Sequence, residues 1–102
     1  MDIVTEIVTM KTIPGITRSE FENIVNNLEQ DYHSKQDGFI DTELLYDEPV
    51  DEWIMVQHWK SAKHLRCASQ KMFQADEASE FVKSLDRKSV KMKILPQIKT
   101  WG

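Results

Sequence analysis

Two segments, Ile3 to Met10 and Trp53 to Trp59, place apolar or amphipathic side chains at both parities of an extended chain. That pattern requires strands covered on both faces. The remaining chain offers cover for one face only. Thr17 and Glu20 have the spacing of a capping box, and Phe21, Ile24, Val25, Leu28 and Tyr32 then recur at helical intervals. Ser61 is placed to cap a second amphipathic segment, in which Ala62, Leu65, Ala68, Met72, Ala75, Phe81, Val82 and Leu85 keep approximate helical spacing. A break is expected there between Phe73 and Asp76. Between the helices, Phe39 to Tyr46 alternates apolar and acidic residues after Gly38, and the turn at Asp47, Glu48 and Pro49 makes it a hairpin with the Trp53 segment. Val90 to Trp101 is expected to close the chain as a strand, with Pro96 at an edge or bulge because it cannot donate to a ladder.

The order strand, helix, hairpin, helix, strand predicts an α+β βαββαβ domain over residues 1–102, a four-stranded antiparallel sheet with both helices on one face. The other face then needs a cover that the chain does not contain. A second copy is the economical one, since two such sheets face to face bury on the order of 1,000 Å². A homodimer through sheet-to-sheet packing is therefore expected.

Composition narrows the function classes. At 102 residues, 40% hydrophobic and 29% charged, the chain has the makeup of a globular protein with one core and little volume to spare for an enclosed ligand site. Its net charge of -4, with basic and acidic residues interspersed, gives no footprint for nucleic acid or an anionic membrane. No stretch of about 18 apolar residues occurs, and no basic segment followed by an apolar run opens the sequence, so a cytoplasmic location is expected. The single cysteine, Cys67, has no internal disulfide partner, in keeping with a reducing compartment. Gly-rich phosphate loops, Gly-x-Ser-x-Gly and paired metal-ligand motifs are missing from the sequence, and neither a cofactor nor a metal is expected.

The segments Glu6 to Met10, Ile13 to Thr17, Asp37 to Ile40 and His58 to Ser61, together with Leu85-Asp86 and Ser89 to Met92, resemble the antibiotic biosynthesis monooxygenase superfamily over nearly the whole chain. The resemblance implies a ferredoxin-like βαββαβ subunit in a dimeric α/β barrel. It also implies chemistry drawn from a wide range: cofactor-independent oxygenases of aromatic polyketides, quinol oxygenases, haem-degrading enzymes, isomerases and members without known activity. The haem-degrading branch uses an Asn, a Trp and a His at positions that match Val8, Ala68 and Ala78 here. None of these can ligate iron or replace the missing polar groups, so haem chemistry is not carried over. Cofactor-independent oxygenation of a small apolar or aromatic molecule is the expected activity. The alternative is a non-catalytic dimeric module of the same fold that binds a ligand.

Two polar residues in apolar strands are the candidates for acid/base work. Glu6 would have its carboxyl pKa raised by burial, toward the range of a general base; a place near a sheet opening, or pairing with a Lys, is the competing reading. His58 lies in a strand expected to neighbour the first, so the two could share a face; a strand-capping or interface histidine is the competing reading. His64 and Cys67 are three apart on a helix and could face one another, although Cys67 in an apolar stripe also reads as a small buried hydrophobe. Trp59, Met72, Phe73 and Phe81, with Trp53 and Met55, could line a cavity for a flat ligand, or simply form core. The expected site is thus Glu6 and His58 as catalytic groups, with Trp59, His64, Cys67, Met72, Phe73 and Phe81 binding substrate.

Overall fold

The structure, a computed structural model, describes residues 2–102. Its elements run β1 (Val4–Thr12), α1 (Arg18–Asp31), β2 (Phe39–Asp47), β3 (Glu52–Trp59), α2 (Ala62–Met72), α3 (Ser79–Ser84) and β4 (Leu85–Pro96). All ladders are antiparallel and the strand order is β2-β3-β1-β4, the ferredoxin-like βαββαβ arrangement.

Local chemistry accounts for the element ends. Thr17 and Glu20 form the capping box, each side chain accepting from the other's backbone N–H. Ser61 caps α2 by accepting from the His64 N–H. The second helical segment is split, as its spacing suggests, by irregular chain and a 3-10 turn at Asp76–Ala78 between α2 and α3. β4 begins and ends about five residues earlier than the sequence pattern indicates. It begins early because Leu85 and Asp86 pair with Thr12 and Lys11 before a bulge. It stops at Pro96, opposite Val4, where β1 has no residue left to pair. One further bond, Gln97 N–H to the Ile3 carbonyl, ties the tail.

The helices pack on one side of the sheet. Val4, Glu6 and Met10 of β1 and Trp53, Met55, Gln57 and Trp59 of β3 are buried beneath them. Phe21 of α1 lies 4.8 Å, centroid to centroid, from Trp53, which in turn meets Tyr46 at 4.5 Å. The buried residues fall into two clusters. Met10, Phe21, Trp53, Met55 and Phe81 belong to the larger, and Val4, Trp59, Leu65 and Ala68 form the smaller. Glu6 and Gln57 lie between the two along β1 and β3, so a polar rung crosses an otherwise apolar core.

The opposite face carries Thr5, Ile7 and Thr9 of β1 and Ile54, Val56 and His58 of β3, all half-buried. Leu45 and Leu95 on the same face are 43% and 46% exposed.

Candidate active site

A cavity of about 420 Å³ lies between the helices and the sheet. Its floor is Glu6, Val8 and Met10 of β1 with Met55, Gln57 and Trp59 of β3. Its walls come from Ala68, Ser69 and Met72 of α2, Phe81 and Val82 of α3, and Leu85, Val90 and Met92 of β4. Phe73, 76% exposed, and the exposed Arg87 also line it and mark its open side. The space falls in the range of small-molecule sites, and its lining is overwhelmingly apolar with a few convergent polar groups.

Glu6 is the acid in that lining. It is 4% exposed, and burial pushes its carboxyl above the ordinary carboxylate range, offset in part by the electrostatic influence of nearby His33. His33, in the short turn after α1, is itself buried and reaches the cavity. Its Nδ1 contacts the Glu29 carboxylate one turn back on α1, and the Gln57 amide nitrogen lies 3.2 Å from the same atom. Gln57 is held from both ends: Nε2 donates to Thr42 Oγ1 at 3.0 Å, and Oε1 accepts from Trp59 Nε1 at 3.4 Å. Nearby, the Tyr32 hydroxyl donates to the Ala68 carbonyl and ties the end of α1 to α2. Among the described residues no group of three or more His, Cys, Asp and Glu side chains is arranged to hold a metal ion.

The structure brings together part of the site read from sequence. Glu6, Trp59, Met72, Phe73 and Phe81 all line the cavity. His58 does not. Glu6 pairs with Gln57 in the β1–β3 ladder, and His58 pairs with Thr5, so the one-residue offset turns the imidazole to the opposite sheet face. There its Nδ1 lies 2.6 Å from Asp41 Oδ1. The Glu6–His58 acid/base pair is therefore not formed. His64 also lies outside the lining, its Nδ1 2.7 Å from the Ser61 hydroxyl at the α2 N-terminus and its ring against Gly38. Cys67 is exposed and does not reach the cavity, because its position on α2 is turned away from the Leu65 and Ala68 side.

Sequence reasoning missed His33, Gln57 and Arg87. Gln57 was an interior polar residue in a strand otherwise apolar, the same signal that singled out Glu6. His33 carried an i,i+4 relation to Glu29 on a helix face. Val8 and Ala68, two of the three positions weighed above for haem chemistry, are apolar lining of the cavity.

An apolar cavity with a buried acid, set between the sheet and helices of a βαββαβ subunit, defines a small ferredoxin-like α+β protein with a ligand-sized site. The sequence profile of the antibiotic biosynthesis monooxygenase family matches residues 3–84, and the chain belongs to that family. Its fold resembles that of SnoaB, a cofactor-independent oxygenase from Streptomyces nogalater, at a TM-score of 0.76 and 17% identity, covering 98% of this chain and 97% of that one. A Pseudomonas aeruginosa protein is similar at a TM-score of 0.69 and 15% identity over 97% of both chains. A conserved protein from Methanosarcina mazei aligns at 0.67 and 21% identity over 92% of this chain and 91% of that one. No curated protein sequence matches this chain.

Proposed function

We propose that this chain is a cofactor-independent oxygenase that binds a small, flat, largely apolar molecule between its helices and sheet. The observation that carries the reading is Glu6, a buried carboxyl of raised proton affinity in a cavity otherwise suited to an aromatic ligand. Family membership and the likeness in fold to SnoaB support it.

The chemistry asked of these residues is modest. Glu6 accepts a proton from an activated methylene of an anthrone-like ring system, or from the hydroxyl of a quinol. Charge left on the ligand oxygen is stabilised by the donors that line the cavity, His33 and Arg87. For a methylene substrate, the carbanion passes its electrons to dioxygen and a C–O bond forms, giving a hydroperoxide. Loss of the second C–H proton with cleavage of the O–O bond leaves a carbonyl, and one oxygen atom departs as water with both methylene hydrogens. The electrons come from the substrate.

The chain is further proposed to work in the cytoplasm as one domain in a homodimer, with the Ile7, Ile54 and Val56 face of one protomer on that of the other. The half-buried apolar side chains of that face support this.

Oxygen uptake with a panel of quinols and phenolic anthrones tests the reading. Turnover by the protein and its loss in Glu6→Gln are expected. Binding without oxygen uptake across the panel would leave a ligand-binding module in place of an enzyme.

A further inference from the structure

The open sheet face is not uniform from edge to edge. Across one row of the ladders, Glu43 of β2 lies beside Val56 of β3, Val56 beside Ile7 of β1, and Ile7 beside Lys93 of β4. The cavity takes Met92 from β4, so Lys91 and Lys93 on either side of it turn to the open face. One edge of that face is therefore acidic, its middle apolar and its other edge basic. Asp41 extends the acidic edge but is engaged by His58 within the subunit. Glu43 and Lys93 are exposed, and neither forms an ion pair among the described residues. Three strand spacings, about 14 Å, separate them, too far for the two to meet within one chain.

A second copy packed on this face is related to the first by a two-fold axis lying between the sheets. Aligned packing allows that axis to run across the strands or along them. Across the strands, β2 lies over the partner's β2 and β4 over the partner's β4. Glu43 then faces the partner's Glu43, and Lys93 the partner's Lys93. Along the strands, the strand order is reversed between the sheets. Glu43 then faces the partner's Lys93 at both edges, while Val56 covers the partner's Ile7. The next row, past the bulge in β4, has acids at both edges, Asp47 and Asp86, and favours neither orientation. Like charges held together in a closing interface cost more than an exposed opposite pair gains, so the row through Glu43 and Lys93 excludes the first orientation.

We propose that the homodimer closes with its two-fold axis along the strands, the β2 edge of each protomer over the partner's β4 edge and Glu43 paired with the partner's Lys93. The proposal rests on the reading of the open face as a homodimer interface and adds its orientation. The apolar middle holds the two copies together, and the charged edges decide which way round they fit.

The test compares wild type with Glu43→Lys, with Lys93→Glu and with both exchanges in one chain. Protein labelled at Cys67, exposed on α2, is diluted, and energy transfer between subunits gives the dissociation constant. Circular dichroism checks that each variant is folded. Each single exchange places like charges at both edges and should raise the constant about a hundredfold or more. The double exchange restores opposite charges and should bring it back to within about tenfold of wild type. Added sodium chloride should loosen the wild-type dimer and tighten that of each single variant. Unchanged constants in the single variants overturn the orientation, as does a double exchange no tighter than the singles or a wild-type dimer that tightens with salt. If Val56→Arg still abolishes such a dimer, the sheet-face homodimer stands without this orientation. A wild-type protein that is monomeric at micromolar concentration removes both.

Discussion

Glu6 of β1 lies directly across the ladder from Gln57 of β3, and both side chains are buried on the helix side of the sheet. This rung interrupts the core, and its acid member sets a pH dependence. Burial raises the folded-state pKa of Glu6 above its unfolded value. Its contribution to stability is therefore fully present below the unfolded carboxylate pKa and is lost as pH rises through the folded one. Glu6→Gln removes the ionisation, so the variant should melt higher than wild type at pH 8, with the advantage shrinking toward pH 4. In the same variant, oxygen uptake should fall about 10²- to 10⁴-fold, the usual worth of a general base. Thermal melts across that pH range check the first outcome, and a pH-independent gap would rule out buried ionisation as its cause.

Gln57, part of the cavity floor, should also matter for stability. It is 2% exposed, and its amide satisfies both Thr42 and the indole N–H of Trp59. Gln57→Leu leaves the buried indole donor unpaired, a loss of about 1–3 kcal/mol in urea unfolding. A cost under a few tenths would mean that water replaces the amide there.

Phe73 presents the opposite case. It lines the cavity yet is 76% exposed, so it contributes little to the core. Phe73→Ala should change unfolding free energy by no more than about 0.5 kcal/mol, while weakening binding of 2-naphthol followed by tryptophan fluorescence. Unchanged affinity would place the ligand deeper, away from the open side.

The architecture was legible in the sequence because each element carried its own local signal. The Thr17–Glu20 box, the Ser61 cap and the helical stripes all depend on near neighbours, and they appear as read. The ladder register does not depend on near neighbours. Whether Glu6 faces His58 or Gln57 is decided by how β1 and β3 align, and one residue of offset exchanges the two faces. Glu6 and the apolar wall could be found in the sequence, but the identity of its polar companions could not. The start of β4 was hidden for a similar reason, since Leu85 belongs at once to the end of a helical stripe and to a ladder with Thr12.

His64, set aside as a site residue, takes a structural role that a double substitution can expose. Gly38 has a φ of +80°, and a Cβ there would run into the His64 ring. Gly38→Ala therefore meets two penalties, a left-handed backbone and a steric clash. It should destabilise the protein by more than the roughly 1–3 kcal/mol of backbone strain alone. In a His64→Gly background both the ring and the Cβ that the new methyl would meet are gone and only the backbone part remains, so the two substitutions should be non-additive by about 1 kcal/mol or more. Additive denaturation energies would show that the loop moves away from α2 instead.

The open sheet face yields the last prediction. Val56 lies near its centre, opposite Ile7 on one side and Glu43 on the other, and is half-buried in the isolated subunit. In the proposed dimer that position becomes fully enclosed, where an arginine overfills the seam and must be desolvated even with Glu43 beside it. Val56→Arg in a monomer merely extends its side chain into water, at little cost. Sedimentation at micromolar concentration should give a dimer for wild type and a monomer for Val56→Arg, with the variant's subunit keeping its far-ultraviolet circular dichroism. Cavity binding of 2-naphthol should persist in that monomer, because every lining residue comes from the helix side of one chain. If binding disappears together with the dimer, the partner holds β1 and β4 in register beneath the cavity, and the ligand site depends on the assembly.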